Sequence, residues 1–424
     1  MSNILFITSK YLPYADANGI CVAQIIKQLQ KEGHHLICIC TQEDTQQNFE
    51  LSEGVEIYRI KESFYAIQLA KERGSNKKNL FIPLLTLLRR IRSFILLPVF
   101  PNVEPCRARE IYALVKSIMK EKPIHCVIGV FRPFEGVAVA MKIKKRFPKI
   151  ICGGYYLDIL KGATIPRLFP QKMYSKLCDK RELKIFNSLD FILMAEAGKK
   201  IYGIPLFSKV EKKIRYINFP VFRNIREEVN QMIEFDKDYY NIVYAGYLDK
   251  NYRNPTFFFD VIQFLCLSGY KIKVHMYGRN NCNDIINNYC RKTPNNFHYY
   301  GPVDSDNAKS AILSADAVLN ISNKTDNIVP SKVFELCSTC KPIINVVTNA
   351  NDVSSRYFTL YPKVCFINEY NNNIEMEAKK LMLFLSNNKN DDICYAEIEP
   401  LYYNSTPMAT TSIIKEFLNK ECSI

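Results

Sequence analysis

AVLNISNKTDNIVPSKVFELCSTCKPIINVV, residues 317–347, reads as strand, loop, helix, strand. AVLNIS and PIINVV are apolar runs of strand length, and residues 332–337 between them carry a helical pattern. Pro330 can open that helix, because its missing N–H is not needed at the first position. Strands joined through helices predict a parallel sheet with crossover connections. The rhythm extends to both sides. NIVYAGYL (241–248), KIKVHMYG (271–278) and NFHYYGPV (296–303) come before it, with helices over 256–268, 283–290 and 305–314; KVCFI (363–367) follows. Farther upstream stand ILFITS (4–9), HHLICICTQ (34–42), CVIGV (126–130), KIICGGYY (149–156) and FILMAE (191–196), with helices over 21–32 and 136–146. Residues 219–239, with Pro220, many charges and no clear strand, read as a passage between two halves. The expectation is an α/β chain of two Rossmann-like, doubly wound parallel-sheet domains, 1–220 and 221–407, facing across a cleft. Ligands in such sheets sit beyond the carboxyl ends of the strands.

A chain of 424 residues suits two domains of about 200 residues each. With 48% hydrophobic and 23% charged residues the composition is globular. The net charge of +15 admits nucleic acid, anionic lipid or an anionic small substrate as partner. Lys and Arg run through the whole length instead of forming a basic arm, which argues against nucleic acid. Fifteen cysteines, without a signal-like start, fit free thiols in a reducing, cytoplasmic setting. The lone C-x-x-C of Cys337 and Cys340 reads as helix-packing residues, since no His pairs with it at zinc spacing.

A site for a nucleotide-diphosphate sugar must neutralise a diphosphate, hold ribose hydroxyls and place a sugar. Helix ends with Arg or Lys serve the first need, and a carboxylate serves the second. Residues 329–336, VPSKVFEL, offer Ser331, Lys332 and Glu335 on one short helix after a strand and loop. The plain reading competes. Ser331 to Glu335 is one residue too long for a capping box, but Lys332 and Glu335 could be an ordinary surface pair worth a few tenths of a kcal/mol.

The arrangement P-S-K-x-x-E-x-x-x-x-x-K-P, from Pro330 to Pro342, resembles the donor-site motif of retaining glycosyltransferase family 4, especially members building bacterial surface polysaccharides. YAGYLDKNYRNP (244–255) is similar to the first strand and loop of that family's C-terminal domain, and KYLPYADANGICVAQIIKQLQKEGHHL (10–36) to its opening loop and helix. The resemblance implies a GT-B fold, donor in the C-terminal domain and acceptor in the other, with a last helix of about 408–424 crossing back. It implies that Glu335 holds the ribose hydroxyls, that Lys332 and Arg253 stabilise the diphosphate, with Lys250 a competitor of Arg253, and that Gly246 and Gly19 admit the ligand. Where the family often has E-x7-E, the first acid is replaced by Asn327, beside Asp326; an amide there could still bond the donor sugar. The family implies retention at the anomeric carbon.

In the N-terminal half FRPFEG (131–136) and GGYYLD (153–158) follow strands. Asp158 is the candidate acceptor-side acid or base, Arg132 and Glu135 candidate acceptor contacts; a lone Asp after a strand is also a common turn residue. GxGxxG and the P-loop are missing, and no D-x-D stands where a metal–diphosphate site would need it. The expected partners are thus a nucleotide sugar and a glycan or lipid-linked acceptor, with no cofactor and no metal required. Residues 80–100, LFIPLLTLLRRIRSFILLPVF, are broken by Arg89, Arg90 and Arg92 and cannot span a bilayer; they read as an interfacial helix on an anionic membrane, or as a core helix with a basic edge. A nucleotide-sugar epimerase and a non-catalytic scaffold of a polysaccharide complex are the rival functions.

Overall fold

The computed structural model describes residues 1–13, 15–42, 47–62, 87–88, 91–92, 94–101, 104–162, 170–229, 231–324, 331–389 and 391–421. The chain forms two compact units, Met1–Val221 with Asn404–Ile424, and Phe222–Tyr403.

The first unit carries an eight-stranded sheet. Its strands are β1 (Asn3–Ile7), β2 (His35–Gln42), β3 (Phe49–Ser52), β4 (Val55–Lys61), β5 (Cys126–Val130), β6 (Ile151–Tyr156), β7 (Phe191–Ala195) and β8 (Ile214–Ile217), in the order β3-β4-β2-β1-β5-β6-β7-β8. All neighbours pair parallel except β3 with β4. β1, β5, β6 and β7 bury almost every residue, as strands covered on both faces must. The helices are α1 (Ala17–Lys31), α2 (Pro105–Glu121), α3 (Glu135–Arg146) and α4 (Gln171–Ser188). The C-terminal helix packs on α1, where Lys415 Nζ lies 2.8 Å from Glu32 and Thr411 donates to the same carboxylate at 3.1 Å.

The second unit is a six-stranded, wholly parallel sheet of β9 (Tyr240–Ala245), β10 (Ile272–Tyr277), β11 (Phe297–Gly301), β12 (Ala317–Ile321), β13 (Ile343–Val347) and β14 (Val364–Asn368). Its order, β11-β10-β9-β12-β13-β14, is the 3-2-1-4-5-6 pattern of the Rossmann sheet, with the reversal between β9 and β12. Helices α5 (Thr256–Leu267), α6 (Asn283–Lys292), α7 (Ser305–Ser314), α8 (Lys332–Cys337) and α9 (Val353–Phe358) make the crossovers; α10 (Ile374–Asn388) follows the last strand, and the C-terminal helix (Pro407–Glu421) is α11.

The elements the sequence left unread include β3, β4, β8, α2, α4, α9 and α10. Most alternate or mix charge with apolar residues, as VEIYRIK of β4 and QKMYSKLCDKRELKIFNS of α4 do, so no continuous apolar run marks them.

Cations are spread along the sequence, but their excess is not. Residues 222–403 hold 19 Lys and Arg against 21 Asp and Glu, so the whole net charge of +15 comes from the first unit. Within that unit, the described part of residues 80–100 is helical and outward-facing: Leu87, Leu88 and Ile91 are about half exposed and Ile95 is 70% exposed. Leu87, Ile91 and Ile95 each lie in a helical stretch and are exposed, so these apolar residues are not core. Residues 80–86, 89, 90 and 93 lie outside the described residues. Among the described residues no helix is long and apolar enough to cross a membrane.

Candidate functional site

The reversal of strand order in the second unit places the loops after β9 and β12 side by side, where doubly wound sheets bind ligands. The loop after β9 begins at Gly246, whose N–H donates to the Tyr277 carbonyl at 2.8 Å. Backbone crowds backbone here. A Cβ on Gly278 would lie 2.1 Å from the Gly246 carbonyl oxygen, and Gly278 itself has φ +125°, a region open essentially to glycine. A Cβ on Gly246 would lie 3.1 Å from the Lys332 ammonium nitrogen. Gly246 therefore lets Lys332, from α8, fold its charge down onto the β9 loop.

Burial pushes the Lys332 ammonium below the ordinary lysine range; Glu335 opposes that shift and Arg253 adds to it. Lys332 and Arg253 are thus two cations at one place, with Glu335 near Lys332 and Asp249 near Arg253. Arg253 is fixed by donating through Nε to Asn323 Oδ1 at 2.7 Å, which ties the β9 loop to the residues just after β12. Its turn is held by paired backbone bonds with Asp249, whose carboxylate also accepts from the Asn251 and Tyr252 amides. Lys250 points elsewhere: its ammonium pairs with Asp284 on α6 at 2.7 Å. Of the two candidate cations of this loop, Arg253 lies by Lys332 and Lys250 is turned to α6.

Glu335 is half-buried on α8, and among the described residues its carboxylate takes no hydrogen bond and no ion pair. The surface pair with Lys332 does not form. Ser331 has helical backbone angles and makes no capping bond. Asn327 and Pro330 lie outside the described residues. The tail of the motif is structural: Lys341 pairs with Asp392 at 3.0 Å, and its carbonyl accepts the Tyr361 hydroxyl at 2.8 Å. Cys337 and Cys340 are buried free thiols.

Sequence reasoning missed the polar network beneath this site. Asn345 Oδ1 accepts from Asn320 at 2.6 Å and from Ser322 at 3.2 Å, and Ser322 donates to Asp352 at 2.8 Å. Burial disfavours the Asp352 carboxylate, but the Ser355, Ser354 and Ser322 hydroxyls outweigh it and hold its pKa below the usual value. The network locks the carboxyl ends of β12 and β13 and so the base from which Asn323 reaches Arg253. Polar residues inside two apolar strands, Asn320 and Asn345, were its only sequence signal.

In the first unit the strand order reverses between β1 and β5. Gly19 lies in the first turn of α1, which Asp16 caps by accepting the Gly19 N–H at 2.8 Å. A Cβ there would sit 2.2 Å from the Lys10 carbonyl, so the close approach Gly19 permits is to its own chain. Arg132, after β5, has φ +71°, uncommon for a side chain of that size, and its Nε stands 3.5 Å from Asp158, after β6. Both are about half exposed, a cation and an acid open to a ligand. Glu135, read from sequence as an acceptor contact, is instead fully buried. It accepts the Glu104 N–H at 2.9 Å at the start of α2, and burial pushes its carboxyl up. A negative group suits a helix N-terminus, and this one serves the fold.

No family model and no curated protein matches this chain. Solved structures do match along nearly its whole length. An E. coli protein described as trehalose-6-phosphate bound with UDP-2-fluoro glucose superimposes with a TM-score of 0.58 at 11% identity, covering 98% of this chain and 99% of that one. WaaG, a glycosyltransferase involved in lipopolysaccharide biosynthesis, gives 0.52 at 13% identity over 97% of this chain and 99% of that one. The catalytic domain of starch synthase IV from Arabidopsis thaliana, bound to ADP and acarbose, gives 0.55 at 10% identity over all of both chains. At such identities the likeness is one of fold, and the fold is GT-B: two parallel-sheet α/β units of this topology in one chain.

Proposed function

We propose that this chain is a glycosyltransferase that moves a sugar from a nucleotide-diphosphate sugar to a hydroxyl of a glycan or lipid-linked glycan, with retention, in surface-polysaccharide synthesis. The observation that carries the reading is the Lys332 ammonium seated over Gly246 beside Arg253, at the strand-order reversal of the second unit. Two cations side by side suit a diphosphate, whose charge grows as its bond to the sugar breaks. Glu335, unpaired among the described residues, would supply the acceptor that two ribose hydroxyls need. These side chains supply the charge that a metal would otherwise bring, so no metal is assigned.

In the first unit Arg132 and Asp158 would meet the acceptor. The acceptor oxygen would bond to the anomeric carbon on the face the diphosphate leaves. Its proton would pass to the departing phosphate oxygen, and the sugar–phosphate C–O bond would break. The described cysteines are all free, which suits a reducing compartment such as the cytoplasm.

A panel of UDP-, GDP-, ADP- and other nucleotide sugars tests the donor reading. Neighbours of this fold bind UDP-2-fluoro glucose or ADP, which puts UDP and ADP sugars first. A true donor at 100 times its Kd stabilises the fold by about 2.7 kcal/mol, a thermal shift of several degrees. No shift across the panel contradicts the reading. Release of free sugar without acceptor would favour an epimerase or hydrolase instead.

The exposed residues Leu87, Ile91 and Ile95, on a unit that holds all the net positive charge, support docking on an anionic membrane. Ile91→Glu with Ile95→Glu is expected to abolish co-sedimentation with phosphatidylglycerol vesicles at 0.1 M salt. Equal binding by the double variant would rule these residues out.

A further inference from the structure

Three consecutive residues leave the carboxyl end of β12, and each is tied to a different group. Ser322 turns inward and is 1% exposed; its hydroxyl lies 2.8 Å from Asp352 Oδ2, 2.9 Å from the Ser354 hydroxyl and 3.2 Å from Asn345 Oδ1. Asn323 reaches the β9 loop and accepts Arg253 Nε at 2.7 Å. Lys324 donates its N–H to the Tyr252 carbonyl at 3.1 Å. Two neighbouring residues after β12 thus hold two neighbouring residues of the β9 loop, while the residue before them is anchored in the interior. Thr348, after β13, steadies the same point by donating to the Asn323 carbonyl at 3.5 Å.

The anchor is one carboxylate. Asp352 caps α9, accepting the Ser354 N–H at 3.2 Å and the Ser355 N–H at 2.9 Å. Capping needs only those amides. The bond from Ser322 does nothing for that helix: it joins the start of α9 to the end of β12, one residue before the group that holds Arg253. A hydroxyl bonded to a carboxylate is charge-assisted, so this joint is stronger than one between neutral groups. An arginine side chain has many rotamers, and one that must meet a diphosphate in a single pose gains from a partner that is itself immobile.

We propose that Asp352 is a positioning residue: through the Ser322 hydroxyl it fixes the end of β12, so that Asn323 holds the Arg253 guanidinium at the place of the donor diphosphate. This deepens the donor reading above and rests on it. The carboxylate acts through Ser322 and Asn323 and does not itself meet the ligand.

A double-mutant cycle in the full chain separates this role from a purely structural one. Ser322→Ala removes the joint and leaves the amide bonds of the α9 cap; Asp352→Asn removes the charge. Each is expected to lower kcat for sugar transfer by roughly 10–100-fold, the size of an ångström-scale misplacement near the reacting bond. In an Arg253→Ala background the same substitutions are expected to change kcat less than about twofold, because the group they position is gone. Calorimetric titration of UDP, GDP and ADP repeats the cycle without turnover: Ser322→Ala should weaken the nucleotide that binds wild type, and should weaken it no further once Arg253 is replaced. Denaturant melts give the folded fraction to which each rate and affinity is referred. Losses that multiply in the Arg253→Ala background overturn the proposal and leave the donor reading in place. So does a Ser322→Ala protein that is less stable yet binds and turns over as wild type does. A wild type that binds none of the three nucleotides and transfers no sugar sinks the donor reading, and the proposal with it.

Discussion

Lys332→Ala is expected to lower kcat/KM for sugar transfer by roughly 10²–10³-fold, about 2.7–4 kcal/mol of lost stabilisation. Three features set that size. The ammonium sits over Gly246, 3.1 Å from where a Cβ would stand. Burial disfavours its charge, and an anion beside it would offset that penalty. In the proposed reaction its attraction to the diphosphate would strengthen as the C–O bond breaks, so the loss should fall on kcat as well as on KM. Arg253→Ala should behave alike, with an added cost from freeing Asn323. Lys250→Ala should change transfer less than threefold, because its partner is the exposed Asp284 on α6. Initial rates at several donor concentrations separate these cases. A large loss in Lys250→Ala with little in Arg253→Ala would reverse the assignment.

Gly278→Ala carries the second large effect, on stability. The new Cβ would meet the Gly246 carbonyl oxygen at 2.1 Å, far inside contact, and φ +125° is closed to alanine. Neither atom is the end of a flexible side chain, so the β9 and β10 loops must part. The cost should reach roughly 3–5 kcal/mol, the range of severe single substitutions. Gly269→Ala is the control: its φ is +89°, but nothing lies within 4 Å of a Cβ there, so it bears backbone strain without the clash. Denaturant melts of the two variants separate strain from collision. If Gly278→Ala is no less stable than Gly269→Ala, the close approach of these loops is not real.

The alternation of apolar runs with helical patterns was legible because both periodicities are local. ILFITS, NIVYAGYL and PIINVV became β1, β9 and β13 since each is buried on both faces and must be apolar throughout. α4 escaped because its buried residues, Tyr174, Cys178, Glu182, Ile185 and Phe186, stand among lysines that read as a solvated face. Glu182 could not be told from a surface acid without knowing that Tyr202 closes over it. The same limit applied at the donor site. Sequence placed Arg253 and Lys250 in one loop, but only the fold brings Asn323 to one and Asp284 to the other. Glu135 failed in the opposite sense: its place after a strand suggested a ligand contact, while the start of α2, distant in sequence, claims its carboxylate.

The proposed grip of the second unit on a nucleotide sugar is most directly tested by calorimetric titration of the stabilising nucleotide sugar into wild type and Glu335→Ala. Glu335 makes no hydrogen bond or ion pair with the described residues, so its removal should leave stability nearly unchanged. Losing two ribose hydrogen bonds to a charged acceptor should cost about 1.5–3 kcal/mol, a Kd raised roughly 10–100-fold. A folded Glu335→Ala protein that binds the nucleotide sugar as tightly as wild type would contradict the account.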